Sequence, residues 1–208
     1  YAQQQRERRW HQLAQRRVEE IHVVVLGLGQ MGRACASRLL ELGYRVSGWR
    51  AGPATGASEP SLVNPPPVRG LAPACGRDAL PGLLVDAQIV LNLLPLTAQT
   101  AGLLDTRLFG QLQPGAGIVN LARGAHLIEA DLLEALDAGQ IGHAVLDVFA
   151  QEPLPASHAF WTHPGVTVLP HVAALSDVAN SIEVVRANLV RVASGSAPLH
   201  GVDRTKGY

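Results

Sequence analysis

Three side chains with complementary acid–base chemistry follow three separate apolar segments of this 208-residue chain. They are Arg123 in "VNLARGAHL", Glu152 in "LDVFAQEPLP" and His171 in "VLPHVAA". A histidine titrates near neutral pH and can protonate an oxyanion, while a carboxylate partner favours the protonated ring and fixes its orientation. An arginine offers a planar pair of donors to a carboxylate. Taken one at a time, they could be an ordinary surface arginine, a loop acid and a packed histidine. Taken together, they form a set in which the histidine could protonate the alkoxide that forms when a ketone is reduced.

The elements that must position these residues alternate between apolar strand-like runs and amphipathic helical stretches. Continuous apolar runs bounded by Gly or Pro predict buried strands of a parallel sheet. We therefore expect an α/β fold, a Rossmann-type doubly wound parallel sheet with helices on both faces. Ligands of such sheets bind along the edge at the carboxyl ends of the strands, where the three side chains could converge. The strand-like runs are 22–27, 44–49, 87–95, 116–122, 142–149 and 166–170.

The segments between these runs predict helices over 30–42, 100–112, 129–139 and 176–195, the last capped by Ser176 or Asp177. Gly43 and Gly139 stand where helices should end. The Pro- and Gly-rich stretch 51–76 predicts a long irregular connection with one short strand near Val68. The opening "YAQQQRERRWHQLAQRR" has good helix formers and predicts an exposed helix. Trp10 lies on an apolar edge of this helix that would suit a subunit contact.

A glycine pattern links the first strand to the helix that follows it. Gly27, Gly29 and Gly32 have the G-x-G-x-x-G spacing within "VVVLGLGQMG". The first glycine permits a tight turn, the second lets a pyrophosphate approach the backbone, and the third lets helix and strand pack closely. The helix amino terminus adds free N–H groups and a partial positive charge. This context predicts a bound dinucleotide.

The end of the second strand predicts which dinucleotide binds. An NAD site usually has an acidic residue there for the ribose 2′-OH. No carboxylate occurs from Tyr44 through Ser58, whereas Arg50 stands where it could bind a 2′-phosphate. We therefore predict NADP as the preferred cofactor, with NAD possible.

The composition excludes several other classes of protein. With 47% hydrophobic and 16% charged residues and a formal charge of +0, the chain resembles neither a disordered protein nor a binder of polyanions or membranes. The two cysteines match no disulfide framework or zinc spacing. We expect a cytoplasmic protein with no metal site, no nucleic-acid partner and no membrane partner.

The order of the glycine loop, "NLARG", "LDVFAQEPLP" and "LPHVAA" resembles the D-2-hydroxyacid dehydrogenase family. Within it, "WR", "LNLLP", "NLARGAHLIEADLLEALDAG" and "GVDRTKGY" resemble the glyoxylate/hydroxypyruvate reductase A branch. The resemblance implies NAD(P)H-dependent reduction of short 2-oxo acids such as glyoxylate and hydroxypyruvate. It also implies that Arg123 holds the substrate, that His171 is the acid/base and that Glu152 pairs with His171.

The resemblance further implies a cofactor site, a domain layout and a homodimer. It assigns a leading helix to 1–20, the dinucleotide-binding domain to 21–195 and a tail to 196–208. That tail would return to the amino-terminal substrate domain of the family, which we expect to be missing from this chain. By the same resemblance, Asp147 would bind the nicotinamide carboxamide. The expected cofactor contacts are Gly27, Gly29, Gln30, Met31, Gly32, Trp49, Arg50, Leu94, Pro95, Leu121, Ala122 and Asp147.

Two alternatives remain open from the sequence. "GLGQMG" also resembles the opening of 3-hydroxyacid dehydrogenases, but those enzymes use a lysine in a following helical domain, and Lys206 is the only lysine here. A nucleotide-binding sensor or corepressor-type module could share the scaffold, and an assay of reduced-nicotinamide absorbance with 2-oxo acids would distinguish it.

Overall fold

Seven parallel strands form one sheet in the computed structural model, which describes residues 1–52, 68–71, 73–199 and 201. The strand order is β3-β2-β1-β4-β5-β6-β7, which confirms the predicted doubly wound topology. The strands are β1 His22–Leu26, β2 Arg45–Arg50, β3 Pro73–Cys75, β4 Ile89–Asn92, β5 Ala116–Asn120, β6 Ile141–Leu146 and β7 Val166–Val168.

Helices cover both faces of this sheet. Along β1, Val24 and Leu26 belong to one buried cluster, while Val23 and Val25 belong to a second cluster with Ala36 of the following helix. Because side chains alternate between the faces of a strand, both faces of β1 are buried, at about 1.5–3 kcal/mol per buried apolar side chain. The α-helices are α1 Ala2–Arg6, α2 Gln30–Glu41, α3 Leu80–Leu84, α4 Thr106–Phe109, α5 Glu129–Asp137 and α6 Val178–Ala193.

The register brings the carboxyl ends of the strands to one edge. Asn92 at the end of β4 pairs with Leu26 of β1 and with Asn120 of β5, and Leu146 of β6 pairs with Asn120 and with Val168 of β7. The loops after β1, β4, β5, β6 and β7 therefore leave the sheet side by side. Neighbouring strands lie about 4.8 Å apart, so the loops after β1 and β5 are separated by about 10 Å.

The opposite edge holds a polar cluster that ties β1 to its neighbours. His22 is 5% exposed, and its Nδ1 lies 2.8 Å from Asp86 Oδ1 while its Nε2 lies 2.9 Å from Ser47 Oγ. Arg45 donates to Asp86 at 2.6 Å. Burial is the largest single effect on Asp86 and raises its pKa, but the hydrogen bonds and positive charges of Arg45 and His22 together outweigh burial. They hold the pKa of Asp86 below its usual range.

The predicted opening helix is wrong beyond its first turns. Helix α1 ends at Arg6, Arg8 adopts φ 54°, and Trp10 lies fully exposed in non-helical chain. Short helices are marginal in water unless a face is buried, and 7–17 is exposed throughout, so propensity alone does not hold this segment helical. The helix assigned to 1–20 is corrected accordingly.

Two further expectations need correction. The helix predicted over 100–112 is limited to α4, because Gly102 adopts φ 63° in a turn and Asp105 caps a new start through a 2.9 Å bond from the Leu108 N–H. The short strand expected near Val68 forms instead at Pro73–Cys75. Residues 53–67 and 72 lie outside the described residues, as does most of the connection predicted over 51–76.

Helix α6, Val178–Ala193, lies within the bounds predicted for it. The Asp177 carboxylate accepts the Asn180 N–H at 2.8 Å, which settles the choice of cap, and Gly195 ends the helix with φ 74°. The Asn188 side chain exchanges two hydrogen bonds with the Leu199 backbone, at 2.6 and 3.1 Å, so the tail turns back along α6. Residues 200 and 202–208 of the predicted tail lie outside the described residues. Among the described helices, none is both long and apolar enough to cross a membrane.

Candidate active site

The glycine loop has the geometry that a pyrophosphate requires. Gly27 adopts φ 95°, and a Cβ there would lie 2.6 Å from the Leu93 carbonyl oxygen, so only glycine fits this turn. A Cβ on Gly32 would lie 1.8 Å from the Gly27 oxygen, so helix α2 packs against the turn without a side chain between them. Gly29 is the N-cap of α2, and a Cβ added there would meet nothing within 4 Å beyond its chain neighbours, so this residue faces open space. The backbone of Gly29 and the amino terminus of α2 can thus hold phosphates.

The side chains predicted to contact the cofactor are either accessible at this edge of the sheet or buried inside the protein. Gln30, Met31 and Arg50 are exposed, and Pro95 and Leu121 are half-buried, so their side chains can reach a ligand at this edge. The Arg50 side chain is exposed, and its guanidinium makes no hydrogen bond or ion pair with the described residues.

Four side chains in the predicted cofactor set lie inside the protein, those of Trp49, Leu94, Ala122 and Asp147. Trp49 is 1% exposed and donates from Nε1 to the Gly76 carbonyl at 2.8 Å. Its ring therefore does not line the nucleotide site, and the predicted cofactor contact of Trp49 stays a prediction for its backbone groups. Its carbonyl oxygen accepts the Gly27 N–H at 2.9 Å, so Trp49 supports the glycine loop through its backbone. Leu94 and Ala122 are 5% and 6% exposed, which leaves only their backbone groups for contact.

Glu152 and His171 form the central pair of the site. His171 Nδ1 lies 2.7 Å from Glu152 Oε2, and Glu152 Oε1 accepts the Phe149 N–H at 2.9 Å. Because an ionised carboxylate only accepts, this contact places a hydrogen on Nδ1 of His171. The opposite nitrogen, Nε2, makes no hydrogen bond with the described residues, and the side chain is 51% exposed. The geometry leaves one ring nitrogen able to exchange a proton with a bound molecule.

The electrostatics of the pair agree with this geometry. The hydrogen bond from His171 is the main effect that holds the pKa of Glu152 below its usual range, against a smaller opposing effect of burial. The positive charge of Arg123 acts in the same direction. Glu152 therefore stays ionised at neutral pH and can stabilise a protonated imidazole.

Arg123 comes close to the pair because its turn packs directly on the loop after β6. A Cβ on Gly124 would lie 1.9 Å from the carbonyl oxygen of Phe149, so the two backbones touch only because this residue is glycine. The Arg123 side chain is exposed and donates from Nη1 to the Ala122 carbonyl at 2.6 Å. The structure thus brings the three predicted catalytic residues to one edge, beside the glycine loop.

His171 itself is held in an unusual backbone conformation. Its φ is 54°, in the left-handed region that non-glycine residues rarely adopt. The next two N–H groups, of Val172 and Ala173, donate to the two carboxylate oxygens of Asp147 at 2.7 and 3.0 Å. Asp147 is 1% exposed, so it fixes the loop that carries His171 from within the protein. Its predicted contact with a nicotinamide carboxamide stays a prediction.

Sequence reasoning missed a buried polar pair beneath the site. Asn92 and Asn120 are both 0% exposed, and Asn92 Nδ2 donates to Asn120 Oδ1 at 3.0 Å. Asn92 Oδ1 accepts the Leu94 N–H at 3.2 Å, and Asn120 Oδ1 accepts the Ala122 N–H at 3.2 Å. The available signal was an asparagine near the end of two apolar runs that pair in the sheet, "LNLLP" and "VNLA".

Comparison with known proteins assigns the chain to a family. Residues 1–173 match the family model described as D-isomer specific 2-hydroxyacid dehydrogenase, NAD binding domain. The chain belongs to this dehydrogenase family. The match favours the 2-hydroxyacid class over the 3-hydroxyacid class that "GLGQMG" had left open.

Relatives within the dehydrogenase family extend the comparison. Glyoxylate/hydroxypyruvate reductase A of Yersinia enterocolitica is 39% identical over 208 residues, which cover 100% of this chain and 63% of that protein. A family member from Xanthobacter autotrophicus Py2, solved in complex with NADPH and MES, superposes with a TM-score of 0.88 at 38% identity, over 100% of this chain and 81% of that one.

A third relative is the NADPH-dependent glyoxylate/hydroxypyruvate reductase of Sinorhizobium meliloti, solved with NADP and sulfate. It gives a TM-score of 0.89 at 32% identity and covers 100% of this chain and 63% of that one. The chain therefore spans a little under two thirds of the length of the curated relatives that it matches.

Proposed function

We propose that the protein containing this chain reduces short 2-oxo acids, such as glyoxylate and hydroxypyruvate, to 2-hydroxy acids with NADPH. The observation that carries the proposal is the His171–Glu152 pair, which lies at the same edge of the sheet as the glycine loop. Nε2 of His171 has no partner among the described residues, and Arg123 lies close by. Relatives named as reductases of these acids support the choice of substrate.

The cofactor follows from the glycine loop and from Arg50. The open backbone at Gly29 and the amino terminus of α2 suit a pyrophosphate, and the exposed guanidinium of Arg50 suits a 2′-phosphate. Solved relatives hold NADPH or NADP, which supports NADP over NAD. When bound, the reduced nicotinamide supplies the hydride.

Each of the three residues has a defined task. Arg123 binds the carboxylate of the 2-oxo acid and places positive charge beside the carbonyl oxygen. The protonated His171 gives its Nε2 proton to that oxygen as the carbonyl carbon is reduced. Glu152 accepts from Nδ1 throughout, so it keeps the imidazole ring oriented.

The proposal is tested by the oxidation of NADPH in the presence of glyoxylate or hydroxypyruvate, with the whole protein that contains this chain. His171→Ala and Arg123→Ala should each lower kcat/KM by about 10²- to 10⁴-fold, the range for losing a positioned acid or a charged donor. Their affinity for NADPH should stay within about threefold of the unaltered protein. His143→Ala is the matched control, because His143 is exposed on β6 and its side chain bonds to Thr167, at 2.9 Å, rather than to the site.

Several outcomes distinguish the alternatives. Near-normal turnover in either active-site variant would remove that residue from the mechanism. Tight binding of NADPH without turnover of any 2-oxo acid would favour a nucleotide-binding sensor on the same fold.

We also propose that the whole protein is a cytoplasmic homodimer. The support within the chain is exposed apolar surface, chiefly Trp10 and the side chains of Val178, Ile182, Val185 and Leu189 along α6, which are 57–72% exposed on that helix. Light scattering of the whole protein at high concentration should give the mass of a dimer, and a monomer mass would contradict the proposal.

A further inference from the structure

His126 is a completely buried histidine three residues after Arg123. It ends a short 3-10 helix, Gly124–His126, and is 0% exposed. Its Nδ1 lies 3.1 Å from the Arg123 carbonyl oxygen, and its Nε2 lies 3.3 Å from the Pro95 carbonyl oxygen. The ring therefore stands between the turn that carries Arg123 and the loop after β4 that carries a predicted cofactor contact.

The same two carbonyl groups receive other buried donors. Asn120 Nδ2 donates to the Arg123 oxygen at 3.1 Å, and the Thr100 hydroxyl donates to the Pro95 oxygen at 2.7 Å. Thr100 is 1% exposed. Each of these two bonds lies within one loop, whereas the Asn92–Asn120 pair joins the ends of the two strands and the imidazole of His126 lies between the loops farther out.

Packing alone does not account for a histidine at this position. A buried polar group costs free energy unless it is hydrogen-bonded, and an apolar ring would fill the same volume without that cost. Burial also lowers the pKa of His126, so at neutral pH the ring carries a single N–H for two carbonyl groups. That N–H donates to one of the two carbonyl oxygens, and the other ring nitrogen only packs against the second. Since Asn120 and Thr100 already satisfy both oxygens, what the histidine adds is one hydrogen bond and one packing contact that bridge the loops.

We propose that His126 is a positioning residue for the reduction. Its imidazole sets the distance between the Arg123 turn and the Pro95 loop. The inference rests on the proposed function. Arg123 is assigned to the substrate and Pro95 to the cofactor, so this distance fixes where the carbonyl carbon lies relative to the nicotinamide. His126 touches neither molecule and acts only through the two backbone carbonyls.

The test compares His126→Phe, which removes both ring nitrogens at similar shape, with His126→Gln, which keeps an amide donor. His143→Phe is the control, because it makes the same substitution at an exposed histidine toward the amino end of β6. For each variant of the whole protein, kcat and KM for glyoxylate, the Kd for NADPH, the Tm and the deuterium exchange of residues 121–127 are measured.

We expect His126→Phe to lower kcat/KM for glyoxylate at least tenfold, with KM rising at least fivefold and the Kd for NADPH within threefold. Exchange of 121–127 should become faster, and His126→Gln should recover part of the lost kcat/KM. A value of kcat/KM within threefold of the unaltered protein, or the same loss in His143→Phe, would overturn the proposal.

Two complications are covered by the same set of measurements. If His126→Phe fails to fold, the glyoxylate KM and the exchange of His126→Gln decide, and normal values of both overturn the proposal. If the unaltered protein reduces no 2-oxo acid, the proposed function fails separately; unchanged exchange of 121–127 in His126→Phe then overturns the role of His126, and faster exchange supports it.

Discussion

Replacing Asp147 by asparagine should separate the fold of the protein from the placement of its catalytic histidine. The Asp147 carboxylate is 1% exposed and accepts two backbone N–H groups, from Val172 at 2.7 Å and from Ala173 at 3.0 Å. An asparagine keeps the shape but turns one oxygen into an N–H donor. That donor would face a backbone N–H, so one of the two hydrogen bonds to residue 147 is lost. The remaining hydrogen bond has a neutral amide oxygen as its acceptor in place of a charged carboxylate.

The size of the effect follows from two opposing contributions. Hydrogen bonds to a charged group contribute about 1.5–3 kcal/mol each, so the carboxylate supplies about 3–6 kcal/mol. The left-handed conformation of His171, φ 54°, costs about 1–2 kcal/mol. With asparagine, about 1 kcal/mol of stabilisation remains, which no longer exceeds that cost. The loop then occupies its active conformation about half of the time or less, and at about 1.4 kcal/mol per factor of ten a deficit of about 0–1 kcal/mol lowers kcat about two- to sixfold.

The assay measures kcat, the Kd for NADPH and the Tm of Asp147→Asn in the whole protein. The control is Asp105→Ala, which removes another carboxylate from a backbone N–H, that of Leu108 at 2.9 Å, and should cost about 1 kcal/mol of stability without changing kcat. A normal kcat in Asp147→Asn would show that the Asp147 carboxylate does not hold His171 in its active position. A loss confined to the affinity for NADPH would instead favour a direct contact with the nicotinamide carboxamide.

Three further predictions concern charge. Arg50→Ala should weaken NADPH binding about tenfold and leave NADH binding unchanged, because only the 2′-phosphate loses charged donors; a fluorescence titration that shows equal weakening of both would contradict this. Glu152→Gln should lower kcat/KM for reduction, because the ring of His171 loses the carboxylate that accepts from Nδ1, and an unchanged kcat/KM would count against the pairing. In the unaltered protein the depressed pKa of Glu152 means that the stabilisation from the pair is present above the usual glutamate pKa of about 4.3 and is lost as the pH falls through the lower folded value. Asp86→Asn should lower the free energy of unfolding by about 1 kcal/mol at pH 7, because His22 and Arg45 lose a partly exposed carboxylate partner. Since the pKa of Asp86 is depressed, the difference between the two proteins in urea unfolding should shrink below about pH 3.9. A difference that stays constant with pH would contradict this prediction.

The sheet and the position of the site were predictable because their signals are local. Buried parallel strands require continuous apolar runs, and the turn after β1 requires glycines at positions 27 and 32, where any Cβ would meet backbone atoms. Arg123, Glu152 and His171 each follow a strand, so the parallel topology alone brings them to one edge.

The rest depended on tertiary contacts that no local pattern reveals. The opening segment has helix formers but no buried face, so its propensity does not decide its structure. Trp49 and Arg50 are neighbours at the end of β2, yet the Trp49 ring lies in the core and the Arg50 side chain faces solvent. The contacts of His126 and Asp147 join residues from different loops, up to 31 positions apart, and appear only once the sheet is assembled.

The most direct test of the account is a crystal structure of the whole protein with NADPH and oxalate, a stable mimic of a 2-oxo acid. Oxalate should lie between the Arg123 guanidinium and Nε2 of His171, with a carbon about 3–3.5 Å from the reactive carbon of the nicotinamide. Glu152 should remain on Nδ1 of His171, as at 2.7 Å here. Oxalate bound away from Arg123 and His171, or a nicotinamide ring that cannot reach them, would contradict the central claim.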